Sequence, residues 1–290
     1  MRTALEAPNL RTPRSFDVLC AGEALWRLAE GEDALRLRPG GGAVKAAFAL
    51  ARQGLRVGLS TVLADDMAGR ALIAKLAARG VDVGGVELAH PSSGLVLTEG
   101  RGGARQVVSF REEEQPIAIP AGWTSQVLLL SGRSPVVAHG AALCRAARAA
   151  RRAGSVVVVD VNASWHMWKG RDPRNIRMVL READVVWCSA EDLFGLNLDL
   201  PSLRAALRPD AVLVLSDAEG SARATGPFGE VVRGPREAGL VAPLGDGDAF
   251  TAAICAELAL AGHTAEHHGS LWARALDRGH AVAAARSARR

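Results

Sequence analysis

The residues whose types and spacing could do chemistry are concentrated in Gly245-Asp246-Gly247-Asp248, between the apolar Leu240-Val241-Ala242 and the small-residue stretch Ala249 to Ala256. An apolar entry, a Gly-Asp-Gly-Asp turn and a following helix present free backbone N–H groups at a helix start, where the macrodipole favours anions. Such a turn suits a phosphate. Gly245 and Gly247 permit positive φ or close ligand approach, and Asp248 in the first turn has a carboxylate available for proton transfer. The same residues also suit an ordinary strand-to-helix connection, because Asp caps helices well and Gly-Asp turns end many strands. A second glycine cluster, Gly40-Gly41-Gly42, precedes the helical Ala43 to Gln53. It lacks the Gly-Lys-Ser/Thr of a nucleotide P-loop and the Gly-x-Gly-x-x-Gly spacing of a dinucleotide site, which leaves close ligand approach or a flexible turn.

Composition narrows the classes of function. The formal charge is +4, yet the basic residues are mostly Arg dispersed among Ala, there is no Tyr, and no dense basic block occurs. The combination of stacking rings and phosphate contacts that marks nucleic-acid binders is missing, so no nucleic-acid partner is expected. Cys20, Cys144, Cys188 and Cys255 stand far apart without a Cys-x-x-Cys pair, which points to reduced core thiols. No run approaches the ~18 apolar residues of a membrane span. Residues 1–15 carry Arg2, Arg11 and Arg14 without the apolar segment of a secretory signal, and read as a tail ahead of one domain over 16–290. A cytoplasmic location is expected.

The elements that must position these residues follow a βα rhythm. Phe16 to Leu25 reads as a buried strand broken at Gly22, Arg56 to Leu63 as a strand, and the segment after Asp65-Asp66 as a helix with Leu72, Ile73 and Leu76 on one face, closing at Gly80. Gly94 to Thr98 and Arg105 to Phe110 alternate like a hairpin, which suggests a small β flap. The rhythm then resumes, with strands at Val127 to Leu130, Val156 to Val161, Val185 to Cys188 and Ala211 to Leu215, and a helix over Val136 to Arg152. Asp172-Pro173 reads as a helix start, Ser189 with Asp192 as a capping box, and Gly220 to Val232 as a hairpin.

In order and spacing these pieces resemble the ribokinase-like, or PfkB, carbohydrate kinases over nearly the whole chain. Gly22-Glu23-Ala24-Leu25 is similar to the family's opening strand, and Gly41-Gly42-Ala43 with Gly54 to its first signature. Asp65-Asp66-x-x-Gly69 and Asp160-Val161-Asn162 have counterparts. Ser189-Ala190-Glu191-Asp192-Leu193 resembles the metal-associated element of the fructokinase and ketodeoxygluconate-kinase branches, and Gly245-x-Gly247-Asp248-Ala249-Phe250 the second signature. The resemblance implies an α/β fold: a three-layer α/β/α domain with a mostly parallel sheet and a small β lid drawn from about 22–40 and 92–111. It also implies ATP and Mg²⁺ as cofactors and a sugar or sugar acid as the small-molecule acceptor. Asp248 would be the general base, and the amides of Gly245, Asp246, Gly247 and Asp248 the anion hole. Acceptor contacts would come from Gly41, Gly42, Arg27, Lys45 and Arg111, nucleotide contacts from Ser189, Ser216, Asp217 and Gly220, and a metal contact from Asp192. An apolar lid edge is compatible with a homodimer.

Departures from the family pattern fall on the positions it uses. The usual sugar-binding Asp and Asn are Arg27 and Lys45, which suggests an anionic acceptor if both line the pocket. The family glycine before Asp65 is Ala64, the Arg usual after Asp-x-Asn is Ser164, and the nucleotide-side turns read Leu215-Ser216-Asp217 and Ala242-Pro243-Leu244. Asp246 replaces a small residue inside the anion hole. Facing the phosphates it would oppose binding, since like charges about 4 Å apart repel by ~1 kcal/mol in water and by several near a protein surface. Turned outward it would cap the helix, and coordination of Mg²⁺ is a third arrangement. Two classes of function stay open: an active sugar kinase, and a catalytically impaired relative that binds a ligand or regulates.

Overall fold

The computed structural model describes residues 13–30, 35–99, 106–110, 116–131, 140–163, 174–217, 220–234, 247–262 and 268–287. The strands are β1 (Arg14–Gly22), β2 (Leu25–Glu30), β3 (Leu35–Gly40), β4 (Val57–Ala64), β5 (Val81–His90), β6 (Leu95–Glu99), β7 (Gln106–Phe110), β8 (Trp123–Ser131), β9 (Val156–Asp160), β10 (Val185–Ser189), β11 (Val212–Ser216), β12 (Ala222–Gly226) and β13 (Gly229–Arg233). The helices are α1 (Gly42–Ala51), α2 (Met67–Ala77), α3 (Gly140–Arg152), α4 (Arg174–Leu180), α5 (Ala190–Leu196), α6 (Leu200–Ala206), α7 (Gly247–Ala261) and α8 (Gly269–Ser287).

A nine-stranded sheet runs β13-β12-β11-β10-β9-β8-β1-β4-β5. The strands from β11 to β5 are parallel, and β12 and β13 add an antiparallel edge. The Val- and Leu-rich runs explain this placement, since a parallel strand covered on both faces needs no polar alternation. Each run nevertheless divides by parity. Val127, Leu129, Val156 and Val158 face one core with α1, α2, α7 and α8, whereas Leu128, Leu130, Val157 and Val159 face a second core with α3 to α6. Three layers result.

The polar ends of these strands fall in register. Gly22 pairs with Ser131, Ser131 with Asp160, and Ser189 with Ser216, so their C-terminal residues line one edge of the sheet. From β1 the chain moves outward to β4 and β5, then returns to place β8 on the other side of β1. That reversal at β1 and β8 is the switch point where open α/β sheets bind ligands. A separate four-stranded sheet, β3-β2-β6-β7, stands beside it. Trp26 Nε1 donates to the carbonyl of Ala68 at 2.9 Å, and Ser93 Oγ to Asp66 Oδ1 at 2.7 Å, which ties the small sheet to the start of α2.

Local rules account for most boundaries. Asp66 caps α2, Ser189 and Asp192 form both halves of a capping box on α5, and Gly54 and Gly80 follow their helices at positive φ. Three elements go beyond the sequence-based expectation. β5 is interrupted by Gly84-Gly85 and pairs with β4 through register shifts, α6 begins at Leu200-Pro201 behind the cap Asp199, and α8 is rich in Ala and Arg with a narrow buried stripe at Leu271, Trp272, Ala275 and Leu276. Asp172-Pro173 and Val136 to His139 lie outside the described residues.

Candidate active site

The switch point gathers its polar groups from four elements. Gly22 at the end of β1 has no room for a side chain, because a Cβ there would stand 2.0 Å from the Ser131 carbonyl oxygen and 2.9 Å from the Ala43 Cβ. Helix α1 therefore begins directly over the β1–β8 junction. Its N-cap, Gly41, has φ 94° and makes no side-chain cap bond. Three residues into the helix stands Lys45, whose Nζ donates to Asp248 Oδ2 in a short ion pair. Asp248 belongs to the first turn of α7, which packs alongside α1, and the pairing works because both helices start at the same sheet edge. Asp248 is buried, and its Oδ1 has no hydrogen-bond partner among the described residues. Gly247 is pressed against an indole: a Cβ there would lie 2.7 Å from Trp187 Cη2.

Next to this pair lies Asp160, at the end of β9 and 1% exposed. Ser131 Oγ donates to its Oδ2 at 2.7 Å, and its Oδ1 is unpartnered among the described residues. Burial pushes the Asp160 carboxyl well above the carboxylate range. The charge of Asp248 pushes the same way, the Ser131 hydrogen bond opposes it, Asp192 adds to the rise and Lys45 reduces it. Asp192 serves a different purpose. Its Oδ2 accepts from Ser189 N and Ser189 Oγ, both at 2.7 Å, and its Oδ1 from the Ala163 N–H at 2.5 Å. It thereby fixes the chain leaving β9, where Asn162 adopts φ 43°. Burial also raises its pKa, against the pull of the Ser189 and Ala163 hydrogen bonds.

The remaining sequence-predicted residues are distributed around this centre. Gly41 and Gly42 open α1, and Ser189 is engaged with Asp192. Ser216, at the end of β11, has a hydroxyl without a partner among the described residues. Asp217 and Gly220 close the β11–β12 turn, in which Asp217 Oδ1 accepts from the Ser221 N–H at 2.7 Å and the Gly220 N–H donates to the Asp217 carbonyl at 3.3 Å. Arg27 lies on β2 directly opposite Arg38 of β3. Arg111, Gly245 and Asp246 lie outside the described residues. The structure thus brings together Lys45, Asp248, Gly247 and the start of α1, and sets Ser216, Asp217 and Gly220 at the neighbouring strand ends. Asp160 and Ser131 complete the centre without having been singled out as site residues. Their signal was a lone acid closing the Val156 to Val159 run, with no opposite charge nearby in sequence.

A family model described as pfkB family carbohydrate kinase matches residues 16–289. The chain belongs to that family. Solved structures carry the same fold at low identity. A fructokinase from Xylella fastidiosa with bound ATP superposes with a TM-score of 0.74 at 21% identity, covering 92% of this chain and 90% of that one. An aminoimidazole riboside kinase from Salmonella enterica, complexed with aminoimidazole riboside and an ATP analogue, gives 0.75 at 24% identity over 93% and 92%. The apo fructokinase from Vibrio cholerae O395 gives 0.77 at 20% identity over 94% and 98%. This pfkB carbohydrate kinase therefore combines the family's three-layer fold with a site in which Lys45 holds Asp248.

One consequence for this pfkB kinase is a pH-dependent stability. Asp160 holds its proton more tightly folded than unfolded, where an Asp titrates near ~3.9. The contribution of Asp160 to folded stability is therefore full below about pH 4 and is lost as pH rises through the raised folded value. Asp160→Asn keeps an acceptor for Ser131 without that decline. The variant is expected to melt with the wild type near pH 4 and above it at pH 8, by about 2–4 °C per kcal/mol recovered in a chain of this order of size. A variant that melts at or below the wild type at pH 8 contradicts this reading of Asp160.

Proposed function

We propose that this chain transfers the γ-phosphoryl group of ATP to a hydroxyl of a sugar or sugar acid, with Asp248 as general base and the amides from Gly245 to Asp248 as anion hole. The observation that carries this reading is Asp248 itself. It lies buried in the first turn of α7, at the strand ends where α/β sheets bind ligands, with Oδ2 tethered by Lys45 and Oδ1 unpartnered among the described residues. Phosphoryl transfer asks a protein mainly for positioning and charge stabilisation, which amides at a helix start supply without a counter-charge. ATP and ATP-analogue complexes of the Xylella and Salmonella kinases support the choice of donor. Ser216, Asp217 and Gly220 border the nucleotide in this reading, Gly41 and Gly42 let the acceptor approach the α1 amides, and the small sheet excludes water as a lid.

Mg²⁺ is bound in such sites through one or two carboxylates together with substrate phosphates, rather than in an all-protein cage. Among the described residues no group of three or more His, Cys, Asp or Glu is arranged to hold a metal. Asp192 accepts from three donors, which leaves its carboxylate one lone pair for an ion brought in by the nucleotide. Bound there, Mg²⁺ would offset the charge of the phosphates.

Arg27, on strand β2 of the small sheet, favours an acceptor bearing carboxylate or phosphate in this reading, because a guanidinium pairs bidentately with such groups. ADP release from MgATP across neutral sugars, sugar acids and sugar phosphates is the test. Acceptor-dependent release that is fastest with an acid is expected. Preference for a neutral hexose or pentose removes the anionic acceptor and leaves the kinase. Thermal stabilisation by ATP without release on any acceptor favours a ligand-binding relative that has lost transfer.

A further inference from the structure

Lys45 is placed against the preference of its own helix. It stands in the first turn of α1, where the macrodipole disfavours a cation, and that turn contains no acidic residue. Its neighbours Ala43, Val44, Ala46 and Ala47 are buried against the sheet, and its N–H bonds the Gly41 carbonyl at 3.1 Å, so the side chain leaves the helix from a fixed root. The charge is answered from across the chain by Asp248. The contact makes the two oxygens of Asp248 unequal: Oδ2 takes the ammonium, and Oδ1 stays buried and unpartnered.

We infer that Lys45 is a positioning residue for the base, a role that rests on the assignment of Asp248 proposed above. It holds Asp248 so that Oδ1 alone meets the acceptor hydroxyl, and it keeps one compensating positive charge beside Asp248 and Asp160 as the phosphoryl group arrives. In the transfer, the acceptor O–H proton passes to Asp248 Oδ1 as the acceptor oxygen bonds to phosphorus. The bond from phosphorus to the ADP oxygen breaks with its electron pair leaving on ADP. Lys45 remains an ammonium throughout and neither gains nor loses a proton. With its ammonium on the base, Lys45 is distinct from a cation that reads the acceptor.

The test compares Lys45→Ala, Lys45→Arg and Asp248→Asn in the full chain, using MgATP and the acceptor that releases ADP fastest in the panel. Alanine suits the Ala-rich helix but leaves the buried Asp248 carboxylate unpaired, so rates are taken per folded molecule with a thermal melt of each variant, and Arg keeps the charge on a different fork. Lys45→Ala is expected to lower kcat by about 10²-fold, the scale of one lost electrostatic contact at a reacting centre, with KM for ATP unchanged within about twofold. Lys45→Arg should fall between it and the wild type, added ethylammonium should restore part of the Lys45→Ala rate, and the Lys45→Ala, Asp248→Asn double variant should be no slower than Asp248→Asn alone. An unchanged kcat, or a loss confined to KM for the acceptor, overturns the positioning role while leaving the kinase intact. An Asp248→Asn rate above a tenth of the wild type overturns the base itself, and no ADP release with any acceptor removes both.

Discussion

Asp248→Asn is expected to lower kcat by at least about 10³-fold, within the range that general-base catalysis contributes, while the protein still folds. The substitution preserves shape, and the amide oxygen can still accept from Lys45 Nζ, so the contact between α1 and α7 persists in weakened form. What disappears is the capacity to take a proton at the position that is now the unpartnered Oδ1. The charge of Asp248 is also one of the causes that raise the Asp160 pKa, so its removal relieves Asp160 and leaves Lys45 closer in effect to that second acid. Binding of ATP should survive, because the helix-start amides belong to the backbone. Steady-state ADP release and thermal melts with and without MgATP check both halves. A variant that keeps more than a tenth of the wild-type rate removes Asp248 from the role of base.

How much of this was legible in the sequence depends on whether a rule is local. The strands β8, β9 and β10 could be read because Val and Leu runs suit positions covered on both faces, and the Ser189–Asp192 box because its partners are three residues apart. Gly54 and Gly80 follow from helix ends that need positive φ. The Gly245 to Asp248 motif located the start of α7, and its order relative to Gly41-Gly42 located the fold. The centre of the site was harder to see. Lys45 and Asp248 are separated by 203 residues, and only the β1–β8 reversal brings their helices to one edge. The expectation of two acceptor-reading cations came from sequence type alone. In the structure Lys45 bonds the base and Arg27 stands opposite Arg38. The seclusion of Asp160 was equally out of reach, since it depends on the strand register with Ser131 and on helices from distant segments. β5 and α8 carry weak patterns, one interrupted by two glycines and the other diluted by Ala and Arg, and tertiary packing decides them.

Gly41→Ala is expected to be the most disruptive single-methyl change at the site. At φ 94° the Gly41 backbone lies in a region nearly closed to side chains, and a Cβ would stand 2.1 Å from the Glu23 carbonyl oxygen and 2.9 Å from its carbon. Those are backbone atoms of the link between β1 and β2, so no rotamer change can relieve the overlap. Gly54 separates the two costs. It too has positive φ, 82°, but a Cβ there meets nothing within 4 Å. Gly54→Ala therefore measures backbone strain alone, about 1–2 kcal/mol. Gly41→Ala adds the clash and should lose at least about 3 kcal/mol, beyond the range of ordinary surface changes. Any fraction that folds must displace the start of α1. Because the Lys45 N–H bonds the Gly41 carbonyl, that displacement moves the root of the ammonium that holds Asp248. Activity per folded molecule should therefore fall as well, which the Gly54 variant should not show. Denaturant midpoints and ADP release of the two variants decide the matter. If Gly41→Ala proves no less stable and no less active than Gly54→Ala, the glycine is not needed for the backbone path, and its place in the site would have to come from contact with the acceptor.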